Sequence, residues 1–185
     1  EGMGLGPFRT HTPALWDWGP HDISLCLDLM GEYPEHVDAL AGPSSPSGAP
    51  EQVSVRLDFP RGATAWIQTG RLAPQRRRIL SVFTDARLYV LDELAAEKLT
   101  VSPFRFAERY TTRTPDIIER RSLPPSSTQL PLTRVMTYFM DGLQGGGDRT
   151  RFGTALALDV VKVLAACDTV MAQRKPVSHE PHPVP

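Results

Sequence analysis

The stretch Ala14–Gly31, ALWDWGPHDISLCLDLMG, sets Asp17 and His21 four residues apart among tryptophans. A neutral imidazole beside a carboxylate can take a proton from an alcohol, because the carboxylate orients the ring and stabilises the imidazolium that forms. The local sequence predicts a helix capped by Gly19 with Pro20 at its first position, ending at Gly31. Both side chains would then project from the rim of the helix N-terminus, where a carboxylate and a neutral imidazole are favoured. A structural reading stays open beside this one, with Asp17 capping the turn and His21 a donor between Trp16 and Trp18. Arg9, Trp16 and Trp18 would suit a sugar ring carrying an acidic or phosphate group, and the two tryptophans read equally as core cover.

Other chemistry has little to build on. The chain contains no GxGxxG between a strand and a helix, and no GxxxxGK[ST], HExxH, CxxC pair or GxSxG. Gly145, Gly146 and Gly147 follow a helical pattern and read as its stop. Arg76, Arg77 and Arg78 read as a solvated strand start. Cys26 and Cys167 fall on apolar helical stripes without ligands at zinc spacing, so no metal site is expected; they read as reduced thiols of a cytoplasmic protein.

The elements that must position the pair follow from periodicity. Ile23, Cys26, Leu27 and Met30 give the first helix a broad buried face. From Val37 the period becomes two: Val53, Val55, Leu57 and Phe59 share one face of a strand, and Ser54, Arg56 and Asp58 share the other. Ala63–Arg71, Arg78–Phe83 and Arg87–Leu91 continue in this style, with Thr84, Asp85 and Ala86 as a tight reversal, and their short connections require antiparallel pairing. Gly42–Pro50 reads as a mobile loop, and Lys98–Ser122 as weaker strands near a sheet edge. A helix opens at Pro131 with Val135, Met136, Phe139, Met140 and Leu143 as its stripe. Another runs from Phe152 to Gln173 with Leu156, Val160, Val163, Leu164, Cys167, Val170 and Met171 on one face. The expected fold is α+β: an open, predominantly antiparallel sheet with helices covering one face. Residues 1–13 read as an incoming segment, 14–175 as one domain and 176–185 as a disordered tail.

The totals agree with an ordinary globular domain. The chain has 185 residues, 41% of them hydrophobic and 22% charged, with a net charge of -1. No basic excess attracts nucleic acid, and no apolar run approaches the roughly 20 residues of a membrane helix, so neither partner is expected. No export signal is read at Glu1.

The stretch around Asp17 resembles the Gfo/Idh/MocA family of NAD(P)-dependent oxidoreductases, whose second domain opens a long helix with D-x-G-x-H-x-x-D. Asp17, Gly19 and His21 match, and Ser24 stands where the last Asp is common. LCLDLMGEYPEHVDAL, RRRILSVFTDARLYVLDE and YFMDGLQGGGDRTRFGTALALDVVKVLAACDTVMAQRKPV extend the likeness from Ala14 to about Val177. The resemblance implies a C-terminal domain with an open sheet whose uncovered face serves subunit contacts, giving a homo-oligomer. It also implies that Asp17 and His21 handle the proton of a sugar or polyol hydroxyl beside the nicotinamide. The family's Rossmann domain, with its Gly-rich turn and its E-K-P stretch, is expected to be absent, since Glu97-Lys98 is followed by Leu99. NAD or NADP would bind in the intact enzyme and not to this chain, which should not turn over alone.

Three functions are therefore weighed. The chain is the substrate and oligomerisation domain of a sugar or sugar-nucleotide dehydrogenase, lacking its cofactor domain. Alternatively it is a stand-alone dimeric scaffold or ligand-binding domain. A third reading, a cofactor-independent acid–base enzyme, lacks a nucleophile or metal ligand to accompany the pair.

Overall fold

The computed structural model describes residues 1–9, 11–44, 48–109, 112–125, 127–146 and 153–174. In chain order its elements are β1 (Gly2–Leu5), α1 (Ala14–Met30), β2 (His36–Ala41), β3 (Gln52–Asp58), β4 (Thr64–Gly70), β5 (Leu72–Phe83), β6 (Arg87–Asp92), β7 (Leu99–Arg109), β8 (Thr112–Ile117), β9 (Arg121–Ser122), α2 (Pro131–Leu143) and α3 (Thr154–Gln173). They fall into two compact units: Pro7–Arg71 with Thr154–Pro185, and Glu1–Gly6 with Leu72–Gly153. The fold is α+β, open and predominantly antiparallel, as the alternating patterns require.

The unit of residues 7–71 and 154 onward is built on β2-β3-β4. Register sets Val37, Leu57 and Ala65 in one row, Ala39, Val55 and Ile67 in the next, and Ala41, Val53 and Thr69 in a third. These rows meet α1 and α3, whose Leu15, Ile23, Leu27, Val163, Leu164 and Cys167 complete a core of almost wholly buried side chains. Burying such side chains is worth about 1.5–3 kcal/mol each before entropy is counted. The opposite face carries Asp38, Arg56 and Trp66 in one row, and Leu40, Ser54 and Gln68 in another. Arg56 sits over the Trp66 ring at 5.4 Å and donates to Asp58 Oδ1 at 2.9 Å. The hydroxyl of Thr64 donates to the same oxygen. These bonds, Thr64's first, hold the Asp58 carboxyl below its ordinary range. Trp66 remains 71% exposed.

The unit of residues 1–6 and 72–153 contains the order β1-β5-β6-β7-β8, with β9 also on β7. Thr84 closes the β5–β6 reversal, its N–H donating to Arg87 O at 2.9 Å and its hydroxyl accepting from Arg87 N–H. The weak polar strands do lie toward an edge, with β8 last in order. Of the two candidates for an outward position, Tyr89 shares a row with Val82 and Val101, and Leu88 with Phe83 and Ser102. Both are half-buried.

Four expectations need correction. Helix α1 starts at Ala14, not after Gly19, because Ala14 and Leu15 are buried and extend the apolar stripe by more than a turn. Pro20 is therefore inside the helix, where its ring removes the bond to the Trp16 carbonyl. Gly19 is a packing residue and not a cap: a Cβ there would meet Leu15 Cδ1 at 3.0 Å and Leu164 Cδ2 at 3.3 Å. The coverage by helices belongs to α1 and α3, since α2 buries none of its residues and its Val135, Met136, Phe139, Met140 and Leu143 are exposed. Gly31 does end α1 in a left-handed turn, its N–H donating to Leu27 O. Phe152, Gly147, loop residues 45–47 and the tail from 175 lie outside the described residues.

Candidate functional site

Arg71 is the centre around which Asp17 and Glu51 gather. In β4 the covered face takes Ala65, Ile67 and Thr69, so the same parity one step on sends Arg71 inward, where it is fully buried. Glu51 likewise continues the covered face of Val53 and Val55, and is 3% exposed. Gly70 permits the approach, because a Cβ on it would stand 2.5 Å from Glu51 O. The Arg71 N–H then donates to Glu51 O at 2.8 Å.

The guanidinium is shared among three acceptors. Nη1 donates to Glu51 Oε2 at 3.0 Å. Nη2 donates to Thr12 O at 3.0 Å and to Asp17 Oδ2 at 2.8 Å. Arg71 Nε is buried with no hydrogen-bond partner among the described residues. A buried guanidinium requires this kind of multiple pairing, since an unpaired charge there is very costly. The planar fork of arginine supplies the geometry. Asp17 also faces Arg9, whose Nε stands 3.5 Å from the same Oδ2, so one carboxylate lies between a buried cation and an exposed one.

The structure thus brings Arg9 and Asp17 together. His21 lies one turn further along α1, on the face Asp17 occupies, and is exposed. Among the described residues no hydrogen bond joins Asp17 to His21; Ser24 Oγ donates to the His21 carbonyl at 2.9 Å. Asp17 is in the first turn, as the helix dipole favours, but His21 is the eighth residue of the helix and beyond the reach of its N-terminal charge. Trp16 donates from Nε1 to Asp168 Oδ2 at 2.7 Å and packs against the core, which gives it a structural occupation. Trp18 is half-buried.

Sequence reasoning missed Arg71 and Glu51. The signal was present: both are charged residues on the apolar parity of otherwise buried strands, and opposite charges in such places call for one another.

Among the described residues no group of three or more His, Cys, Asp and Glu could hold a metal ion. Neither do these residues suit a dinucleotide. Its pyrophosphate needs a Gly-rich turn between a parallel strand and a helix, a motif the sequence lacks, and the pairs β1–β5, β2–β3, β3–β4, β5–β6, β6–β7, β7–β8 and β7–β9 are antiparallel. Both thiols are buried. Burial, aided by the Asp22 charge, pushes Cys26 up to about 11. Burial, then the Asp168 charge, pushes Cys167 up to about 12. Such thiols are poor nucleophiles.

Residues 9–90 match the family model described as the GFO/IDH/MocA C-terminal domain, which confirms the resemblance drawn from Asp17, Gly19 and His21 over that span. No curated protein matches the chain. Among solved structures, a protein of Magnetospirillum magnetotacticum described as an oxidoreductase is 30% identical with a TM-score of 0.73, over 90% of this chain and 52% of that one. UDP-N-acetylglucosamine 3-dehydrogenase GnnA from Acidithiobacillus ferrooxidans is 17% identical with a TM-score of 0.65, over 94% of this chain and 55% of that one. A levoglucosan dehydrogenase in complex with NADH and levoglucosan is 15% identical with a TM-score of 0.63, over 93% and 55%. The last two likenesses are of fold. The chain spans about half the length of the structures it matches.

Proposed function

We propose that this chain is the substrate-binding and oligomerisation domain of an NAD(P)-dependent sugar or sugar-nucleotide dehydrogenase. The observation that carries the reading is the match of residues 9–90 to the GFO/IDH/MocA C-terminal domain, a span that contains Arg9, Asp17, His21, Glu51 and Arg71. The oxidoreductase likeness at 30% identity supports the reaction class, and the sugar substrates named for the other two structures suggest the substrate class. The dinucleotide would supply hydride acceptance from a part of the protein other than these residues. What this chain contributes is a proton path. His21, which is exposed, takes the hydroxyl proton, and Asp17 one turn away stabilises the resulting imidazolium. Arg9, with Trp18 near it in sequence, would face an acidic group on the sugar. A cytoplasmic location fits this chemistry, and no described helix is long and apolar enough to cross a membrane.

The test is an assay of the full-length protein with NAD and NADP against free sugars and nucleotide sugars. His21→Ala and Asp17→Asn should each lower kcat by about a hundredfold or more while the fold persists. Full activity in either variant returns the pair to a structural role. The 185 residues alone should show no measurable NADH binding, and a micromolar Kd by calorimetry would overturn the division of labour.

One observation favours a second reading, a non-catalytic scaffold or ligand-binding domain. Asp17 is committed to Arg71 at 2.8 Å and makes no bond to His21. Under that reading the full-length protein oxidises no sugar with either dinucleotide.

A further inference from the structure

We infer that Arg71, backed by Glu51, is a positioning residue that holds Asp17 by its Oδ2 and leaves Oδ1 for the imidazole of His21. The inference rests on the roles proposed above for Asp17 and His21.

Each cationic contact to this carboxylate goes to one oxygen. Arg71 Nη2 reaches Oδ2 at 2.8 Å, and Arg9 Nε approaches the same atom at 3.5 Å. Oδ1 accepts no hydrogen bond among the described residues. The two cations differ in what they can fix. Arg9 has a side chain 59% exposed, and a mobile surface guanidinium sets no geometry. The Arg71 side chain is wholly buried, pinned through Nη1 by Glu51 and through its own N–H by the Glu51 carbonyl. Nη2 also grips Thr12 O, so a single nitrogen fixes both the segment entering α1 and the carboxylate on its first turn.

Stability alone gives a weak reason for such a cluster. Apolar side chains of similar volume commonly replace buried ion pairs without loss. What they cannot do is hold a carboxylate that is still 20% exposed, in one rotamer, at the solvent margin of a core. That is the arrangement a proton-relaying pair requires, because its geometry must be set before substrate arrives.

Two variants of the full-length protein test this. Arg71→Lys keeps the charge but loses the fork that serves three acceptors. Arg71→Met combined with Glu51→Gln removes the cation and its buried counter-charge together, so that Glu51 is not left as a buried unpaired charge, while Asp17 keeps its solvent exposure and Arg9. A positioning role predicts kcat lowered about tenfold or more with KM changed less than about twofold, and an added Asp17→Asn that costs no more than about a further twofold. Crystal structures should show the Asp17 carboxylate in one rotamer in the wild type and spread over several in the double variant. Lowered unfolding stability with unchanged kcat, or effects that multiply with Asp17→Asn, would overturn the inference. If Asp17→Asn itself leaves kcat unchanged, the proposed catalytic pair fails, and the rotamer comparison still decides whether Arg71 holds the carboxylate: a single rotamer in the double variant overturns that as well.

Discussion

Gly19 of α1 lies against Leu164 of α3 so closely that a methyl group on it would stand 3.3 Å from Leu164 Cδ2. The same methyl would be 3.0 Å from Leu15 Cδ1. Alanine would gain up to about 1 kcal/mol of helix propensity, and crowding a packed core costs about 1–3 kcal/mol. Gly19→Ala should therefore be destabilising by about 1 kcal/mol, and Gly19→Val by more. Urea midpoints measured at equal m-value check this; a more stable Gly19→Ala would mean that the two helices part easily.

Leu57 and α2 offer opposite cases. Leu57 is fully buried between the rows of the β2-β3-β4 sheet and the two helices, so Leu57→Ala should cost about 2–5 kcal/mol. Leu132 in α2 is 74% exposed, and Leu132→Ala should change the stability of the chain by less than about 0.5 kcal/mol. Equal losses at the two sites by denaturant titration would show that α2 is buried in solution.

The two thiols tie stability to alkaline pH. Each binds its proton more tightly folded than unfolded, since burial raises Cys26 to about 11 and Cys167 to about 12 from 9.0. Their contribution is full below pH 9 and is lost as pH rises through the folded values, by up to about 1.4 kcal/mol per thiol for each pH unit in that window. Stability measured at pH 8 and pH 10.5 should fall more steeply in the wild type than in Cys26→Ala/Cys167→Ala. Neither thiol should react with a soluble disulfide reagent at pH 8 until the protein unfolds, and rapid native labelling would contradict their burial.

A subunit contact through the open face of the β2-β3-β4 sheet would be centred on Trp66. A tryptophan 71% exposed in a row with Asp38 and Arg56, beside Leu40 at 49%, presents apolar area on a sheet face that α1 and α3 do not cover. Packing against a second copy by two-fold symmetry would remove it from water. Trp66→Glu should then weaken association at least tenfold in sedimentation equilibrium. A monomeric mass for the wild type at micromolar concentration counts directly against the contact.

Strand positions were readable because alternation leaves few choices. Val53, Val55, Leu57 and Phe59 are all buried, and Arg56 sits on the open face where its parity sends it. The start of α1 at Ala14 is not legible locally, because Gly19 and Pro20 look like a beginning and only the burial of Leu15 against distant parts of the chain overrides that signal. The fate of α2 was equally illegible, since an apolar stripe states that burial is wanted but not what provides it. Asp17 and His21 were visible by spacing. Their difference in environment was not, because it comes from Arg71, which is 54 residues away along the chain.

The chain passes between its two compact units at Gly6–Pro7, Arg71–Leu72 and Gly153–Thr154. Neither unit is therefore a module that one cut could release. Ending the chain at Gly153 would strip Val163, Leu164 and Cys167 from the core that supports α1. Grafting Asp17 and His21 onto another scaffold would require splicing Arg71 to Thr154, through the very residue that grips the carboxylate. Recombination between relatives meets the same obstacle, because α1 and the α3 residues that complete its core lie on opposite sides of the strands from Leu72 onward.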